Sequence, residues 1–335
     1  MSPHPILLIG GSGTVGKQTA LSLRAAHPGH PLLIGGRDLA RARATAAEIG
    51  AAEGVQIDLT APDLGLGDRA VAAVAIFVHD DSLGSLAYAL SRSVPHIGIS
   101  TGTFEIAPAV AAYVNQPSAP VVLGSEWLAG AAVLTTLHLA KGFVRLDRIA
   151  LSAVLDDQDI GGPAADADFE RLTSISPAAL TLVDGRYHWR TQAEADVVVH
   201  AADGEAMEGF AYSPFDIVAL AARTGAKDIR LDVAVGASST RRAGEAYSTE
   251  ILIDLEGVDR TGASAHTRHA LVHPRGQAPL TALAVASLLE RVAGLDGDPP
   301  PGPGLYFPEG LVDPDLFVTR ALASGASLTQ LRTGQ

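Results

Sequence analysis

The sequence has 335 residues, of which 47% are hydrophobic, so it can bury a large core in one or two domains. Its formal net charge of −13 argues against nucleic acid as a partner, because phosphate backbones bind to basic surfaces. The sequence has no cysteine, which excludes disulfides, thiol nucleophiles and iron–sulfur clusters. No apolar run approaches the length of a membrane span and the first residues lack the pattern of a signal peptide, so we expect no membrane partner and a cytoplasmic location.

The first stretch of the chain has the pattern of a strand, a glycine-rich turn and a helix. Ile6–Ile9 is apolar, GGSGTVG follows, and Lys17–Arg24 has a helical pattern. Gly11, Gly13 and Gly16 have the spacing of a dinucleotide-binding turn, where they permit the tight turn, the approach of a pyrophosphate and close helix packing, respectively. N–H groups at the start of the helix would hold the phosphates. The cofactor-binding residues predicted here are Gly11, Ser12, Gly13, Thr14, Val15 and Gly16.

The end of the second predicted strand, Leu32–Ile34, indicates which nucleotide binds. Proteins that bind NAD usually place an acidic residue there for the ribose 2′-hydroxyl, whereas an arginine suits the 2′-phosphate of NADP. Arg37 stands at this position, so we predict NADP as the cofactor, with NADPH preferred over NADH. Asp38 either contacts the ribose or, as we favour, caps the next helix. Arg41 either flanks the same phosphate or lies on a solvated helix face.

The loops after the next two strands supply further candidates, because ligands of such sheets bind beyond the carboxyl ends of the strands. Asp58 ends the third predicted strand and either contacts the adenine edge or caps a loop. His79 follows the apolar run Ala70–Val78, the fourth predicted strand. It is therefore expected near the nicotinamide, as a cofactor-binding and catalytic residue. Asp81 or Ser82 is expected to cap the helix that follows.

The fifth and sixth predicted strands end in polar residues as well. Ser100 and Thr101 follow the fifth strand, and we predict that they bind the cofactor. Glu126 follows the sixth strand, beside Trp127, whose apolar ring would favour the protonated acid. Glu126 is then a candidate proton donor, and the alternative is a surface or capping carboxylate. The predicted catalytic residues are thus His79 and Glu126.

Two other polar clusters are weaker candidates. His266, His269 and His273 would share one face only on a helix, but the segment around them has the pattern of strands, where His266 and His269 face opposite sides. We therefore predict no metal site. The acidic run Asp156–Asp159, with Asp168 further on, either holds a cationic amine or forms a solvated loop.

The order of the predicted elements indicates an α/β fold. Six strands alternate with helices over the first 140 residues or so, which predicts an N-terminal Rossmann domain with a doubly wound parallel sheet. Strand-like runs then dominate, which predicts a second α+β domain built on a largely antiparallel sheet. We expect a Rossmann domain at 1–143, an α+β substrate and dimerisation domain at 144–275, and C-terminal helices at 276–335 that return to the Rossmann domain.

Several segments together resemble one family. The turn GGSGTVG, the GGRD after strand two and the VQIDL of strand three match the pattern of the saccharopine dehydrogenase-like NAD(P) oxidoreductases. VVLGSEWLAGAAVLTTLHLAKG resembles the segment that links the two domains of that family, and GLYFPEGLVDPDLFVTRALASG resembles its ending. The resemblance covers nearly the whole chain. The loops after strands four, five and six depart from the family pattern, at His79–Asp81, at His96–Ser100 and at Ser125–Gly130.

The resemblance implies an NAD(P)-linked oxidoreductase. Typical members reduce an imine formed from an amine and a carbonyl, or run the reverse oxidation, and others in the wider group reduce C=C bonds. We therefore expect an NADPH-dependent homodimer that reduces a C=N bond of a small molecule. Reduction of a C=C or C=O bond is the first alternative. The second, prompted by the altered loops, is a non-catalytic sensor that binds NADP and changes its contact with a protein partner.

Overall fold

The computed structural model describes residues 3–159, 161–175 and 178–332. The strands of this part of the chain are β1 (Ile6–Ile9), β2 (Leu32–Gly36), β3 (Ala52–Gln56), β4 (Ala73–Ile76), β5 (His96–Gly98), β6 (Pro120–Leu123), β7 (Phe143–Asp156), β8 (Leu180–Val183), β9 (Arg186–Trp189), β10 (Asp196–His200), β11 (Ala206–Ala211), β12 (Asp228–Gly236), β13 (Thr249–Asp259), β14 (Ser264–His273), β15 (Gly304–Tyr306) and β16 (Ser327–Leu331). The α-helices are α1 (Thr14–Ala26), α2 (Leu39–Ile49), α3 (Gly84–Arg92), α4 (Ile106–Asn115), α5 (Ala131–Ala140), α6 (Pro163–Ile175), α7 (Asp216–Thr224), α8 (Ser239–Arg242), α9 (Ala278–Val292) and α10 (Pro314–Ala323). Short 3-10 turns lie at Trp127–Gly130, Gln192–Glu194 and Pro308–Gly310.

The chain packs as two compact units. The first comprises Met1–Ser125, Gly161–Phe169 and Thr281–Val312, and the second comprises Glu126–Ile160, Glu170–Leu280 and Asp313–Gln335. Of the C-terminal elements, β15 therefore belongs to the first unit, whereas α10 and β16 belong to the second. The domain bounds expected from the sequence stay a prediction.

The first unit is built on a parallel sheet of seven strands in the order β15-β6-β5-β4-β1-β2-β3. This doubly wound arrangement confirms the predicted Rossmann sheet. Strands β1 and β4 are buried at every position because helices cover both faces of such a sheet. Leu7, Leu33, Val74 and Ile76 form part of its core.

The fourth strand is shorter than the apolar run Ala70–Val78 that predicted it. Only Ala73–Ile76 forms strand, while Val71 before it and Phe77 after it are loop residues with 5% and 8% exposure. Burial of these loop residues explains why the hydrophobic run extends beyond the strand at both ends. The sequence does not predict strand β15, because a Pro/Gly-rich stretch precedes it and its three residues carry little strand signal.

The second unit is built on a mixed sheet that is mostly antiparallel, as predicted. Its main path is β10-β11-β12-β7-β13-β14-β16, and the hairpin of β8 and β9 joins it at β12. The pair β7 and β12 is parallel, whereas β13 is antiparallel to both β7 and β14. Val154, Val199 and Leu252, on three of its strands, belong to one buried hydrophobic cluster. In the described part of both units, no helix combines the length and apolar character needed to cross a membrane.

A buried histidine makes the stability of the first unit depend on pH. His96 on β5 is 6% exposed, its Nε2 lies 3.0 Å from Ser85 Oγ, and burial lowers its pKa to about 4 from 6.5. The unfolded chain therefore binds a proton first as the pH falls. The contribution of neutral His96 is fully present above pH 6.5 and is lost as the pH falls towards 4, by up to about 1.4 kcal/mol per pH unit.

We expect His96→Gln to weaken this acid dependence. The loss of melting temperature between pH 7.5 and pH 5, measured by calorimetry, should be smaller in His96→Gln than in the original protein. His4→Gln, which changes an exposed histidine, is the matched control and should keep the original dependence. An identical pH dependence in all three proteins would contradict the assignment to His96.

Candidate functional site

The glycine turn between β1 and α1 has the close packing that the sequence predicts. A β-carbon on Gly16 would lie 2.6 Å from the carbonyl oxygen of Gly10 and 2.8 Å from Gly11 Cα. A β-carbon on Gly11 would lie 2.7 Å from the carbonyl oxygen of Leu8. Only glycine fits at both positions, because the obstructing atoms belong to the backbone.

The turn presents hydrogen-bond donors that the protein itself does not use. The first intrahelical bond of α1 runs from Lys17 N–H to the carbonyl oxygen of Gly13 over 2.9 Å, so the preceding N–H groups have no acceptor within the helix. Gly13 at the N-cap provides no side-chain cap. Within the described residues, the buried Oγ of Ser12 has no hydrogen-bond partner. These donors and the positive end of the helix dipole fit a pyrophosphate.

The end of β2 carries Arg37, the residue from which the sequence predicts a preference for NADP. Arg37 follows β2 directly and is exposed. The carboxylate of Asp38 accepts from the N–H groups of Ala40 and Arg41 over 2.9 and 3.1 Å, which confirms that it caps α2. The Arg41 guanidinium donates to the carbonyl oxygen of Ser12 over 3.0 Å, so this arginine lies against the glycine turn.

Polar groups meet beyond the carboxyl ends of β4 and β5. His79 Nδ1 lies 3.1 Å from the carbonyl oxygen of Ser100, and Nε2 lies 2.8 Å from an Asp81 carboxylate oxygen. Both of these partner atoms are hydrogen-bond acceptors. Ser100 Oγ donates to the Asp168 carboxylate over 2.6 Å. The structure therefore brings His79 and Ser100 together and adds Asp168, which lies 68 residues further along the chain.

Thr101 and Thr14 border this region through separate contacts. Thr101 N–H donates to Ser125 Oγ over 2.8 Å, which joins the ends of β5 and β6. A β-carbon on Gly162 would lie 3.2 Å from Thr14 Oγ1 at the start of α1. Residues 161–169 therefore contact other parts of the first unit at Thr14 and through the bond between Ser100 and Asp168.

The predicted cap of α3 is confirmed at Ser82, which accepts from Gly84 N–H over 3.2 Å, and is wrong at Asp81. Asp80, and not Asp81, accepts from the N–H groups of Gly84 and Ser85, over 3.2 and 2.8 Å. Ser82 supports it by donating to Asp80 over 2.7 Å and accepting from Gly84 N–H. Burial raises the pKa of Asp80, but these hydrogen bonds outweigh burial and lower the pKa below its usual value. Asp81 is left to contact His79.

Asp58 caps its own loop in the structure. Its carboxylate accepts from the N–H and the hydroxyl group of Thr60 over 2.9 and 2.6 Å, and the side chain is exposed. This was one of the two roles that the sequence left open. Contact with an adenine edge stays a prediction.

Glu126 begins the second unit and is only 4% exposed, which rules out the surface carboxylate. Trp127, Leu128 and Ala129 after it are buried as well. Leu128 and Ala129 have φ angles of 52° and 56°, in the left-handed region that residues with a β-carbon rarely adopt. Within the second unit, Trp127 N–H donates to the Asp216 carboxylate over 2.6 Å.

The acidic run after β7 has structural partners in the second unit. Asp156 accepts from the N–H and hydroxyl group of Ser238 over 2.7 and 2.6 Å and pairs with Arg241 at 3.1 Å. Arg241 also pairs with Asp157 at 2.6 Å. These carboxylates therefore join loops of the second unit. In the described residues, no group of three or more His, Asp and Glu side chains is arranged to hold a metal ion.

The fold is shown by the comparison with solved structures. No family model matches the sequence, and neither does any curated protein. The apo structure of saccharopine dehydrogenase (L-Glu forming) from Saccharomyces cerevisiae superposes with a TM-score of 0.66 at 14% identity, over 98% of this chain and 100% of that one. Homospermidine synthase from Legionella pneumophila, in complex with NAD, gives a TM-score of 0.65 at 12% identity, over 98% of this chain and 91% of that one. The chain therefore has the fold of saccharopine dehydrogenase.

Proposed function

We propose that this protein is an NADPH-dependent oxidoreductase that reduces a C=N bond of a small metabolite, or oxidises the corresponding amine. The observation that carries the proposal is the turn between β1 and α1, where backbone N–H groups and Ser12 Oγ are available to an anion and Gly16 lets the helix approach the strand. The folds of saccharopine dehydrogenase and of a homospermidine synthase in complex with NAD support a nicotinamide cofactor.

Two arginines, and a carboxylate that already caps a helix, support the preference for NADPH over NADH. Asp38, the acidic residue that could accept from a ribose 2′-hydroxyl, accepts from the start of α2 instead. Arg37 is exposed after β2, and Arg41 lies against the turn through Ser12. A guanidinium in this region favours a 2′-phosphate over a hydroxyl group, because it can donate charged hydrogen bonds to it.

The remaining residues supply binding and proton transfer. The nicotinamide, when bound, accepts or gives a hydride at the substrate carbon. The substrate nitrogen then needs a proton, which Glu126 is proposed to donate. His79, Ser100 and Thr101 are proposed to hold the cofactor and the substrate beyond the ends of β4 and β5. The specific C=N chemistry rests on the family resemblance and on the names of the two neighbours with this fold.

The test of the proposal is Arg37→Asp. The change removes a charged hydrogen bond to the 2′-phosphate and adds a repulsion, so the Kd for NADPH should rise about 10- to 100-fold while the Kd for NADH changes little. Arg43→Asp is the matched control, since it makes the same charge change at an exposed position of α2. Equal weakening of both nucleotides would remove the role assigned to Arg37.

A screen for oxidation of NADPH tests the bond that is reduced. Pairs of a small carbonyl compound and an amine are expected to support turnover, and enones and simple carbonyl compounds are the alternatives. A protein that binds NADPH tightly but turns over none of these would favour a sensor. The homodimer and the cytoplasmic location also stay predictions.

A further inference from the structure

The segment that carries Glu126 is held in a conformation that its own sequence disfavours. Leu128 and Ala129 are consecutive residues in the left-handed region, with ψ angles of 47° and 34°. Side chains with a β-carbon avoid this region, and consecutive cases are rarer still. Such a conformation persists only when the surroundings impose it, and it is found most often at functional sites.

Asp216 contacts the segment from a distant part of the chain. It is the first residue of α7, is 0% exposed, and accepts the N–H of Trp127 over 2.6 Å. A carboxylate at the start of a helix is favoured by the helix dipole, so Asp216 is itself well held. Ala129 N–H also donates to the carbonyl oxygen of Glu126 over 2.9 Å, and the Trp127 ring meets Tyr212 edge-on at 5.6 Å.

We propose that Asp216 is a positioning residue for Glu126. Its carboxylate anchors the backbone of the residue after Glu126 and keeps the left-handed turn formed, so that the Glu126 side chain has one orientation before substrate arrives. The inference rests on the proposed role of Glu126 as proton donor. It goes beyond that role because it assigns a function to a buried carboxylate that does not itself touch the reacting atoms.

The first test compares two changes of the anchor. Asp216→Ala removes the acceptor for Trp127 N–H, whereas Asp216→Asn keeps an oxygen that can accept it. We expect kcat to fall about 10- to 100-fold in Asp216→Ala, with KM and the Kd for NADPH unchanged, because only the orientation of the proton donor is lost. Asp216→Asn should restore most of kcat. If Asp216→Ala does not fold, Asp216→Ser replaces it, because the serine side chain is too short to accept from Trp127 N–H.

The second test asks whether Asp216 acts by stabilising the strained left-handed turn. Glycine adopts the left-handed region freely, so Ala129→Gly should make the turn less dependent on Asp216. The loss of kcat caused by Asp216→Ala should therefore be smaller in the Ala129→Gly background than in the original protein. Equal losses in the two backgrounds would contradict the proposed coupling.

The third test needs no substrate. The chain has two tryptophans, so Trp189→Phe leaves Trp127 as the sole emitter. In that background, Asp216→Ala should shift the emission to longer wavelength and increase quenching by acrylamide, while Asp216→Asn should do neither. Unchanged emission with unchanged kcat in Asp216→Ala would overturn the proposal. If Glu126→Gln leaves turnover intact while Trp127 emission still responds to Asp216, the role of Glu126 fails and the anchor remains.

Discussion

Glu126→Gln is expected to lower turnover about 100- to 10,000-fold, the usual contribution of a positioned general acid. Glutamine has nearly the same shape as glutamate but cannot release a proton to the substrate nitrogen. Glu126 is 4% exposed and comes after β6 in the chain, and the loops after the strands of such a sheet are the ones expected to bind ligands. The measurement is the kcat for oxidation of NADPH with the best substrate of the imine screen, followed over pH.

The controls separate chemistry from folding and from cofactor binding. The Kd for NADPH should be the same in Glu126→Gln and in the original protein. Glu208→Gln, at an exposed position of β11, makes the same change of charge and should leave kcat unaltered. Turnover that is unchanged at every pH would remove Glu126 from the site and leave His79 as the candidate proton donor.

Gly16→Ala is expected to abolish detectable binding of NADPH. The added methyl group would lie 2.6 Å from the carbonyl oxygen of Gly10 and 2.8 Å from Gly11 Cα, and neither backbone atom can move without displacing α1 from β1. The N–H groups at the start of α1 would then no longer converge on the pyrophosphate. Binding is measured by the fluorescence of the reduced nicotinamide.

Two other glycine variants show whether a loss of NADPH binding in Gly16→Ala comes from the clash at that position. A β-carbon on Gly29 meets no atom within 4 Å, so Gly29→Ala is the control that should bind NADPH normally. A β-carbon on Gly13 meets only the carbonyl oxygen of Gly10, at 3.2 Å. Gly13→Ala should therefore fold with nearly the original melting temperature and still bind NADPH more weakly. Normal NADPH binding by Gly16→Ala and Gly13→Ala would mean that the turn is only structural.

The sequence predicts the fold of the first unit well because its signals are local. The glycine spacing, the apolar runs and the acidic residue before α2 each act within a few residues, and the structure confirms the turn packing, the parallel sheet and the Asp38 cap. Where loop residues beside a strand are buried, as Val71 and Phe77 are, the sequence does not show where the strand begins and ends. The roles of the predicted site residues stay predictions.

Contacts between residues that lie far apart in the sequence leave no local pattern from which they can be predicted. Ser100 meets Asp168, and Trp127 meets Asp216, across 68 and 89 residues of the chain. The sequence does not predict the left-handed turn at Leu128 either, since that position is not a glycine. Asp80 caps α3 in place of Asp81 because of the geometry of the loop, which the run of polar residues in the sequence does not specify.

The central claim is that the glycine turn and Arg37 form a site for NADPH. Titration of the purified protein with NADPH and with NADH, followed by fluorescence of the reduced nicotinamide, tests it most directly. The account predicts saturable binding of both, with a Kd for NADPH at least about tenfold lower than that for NADH, as one charged hydrogen bond provides. Binding of neither nucleotide would contradict the claim, and the oxidoreductase proposal would fall with it.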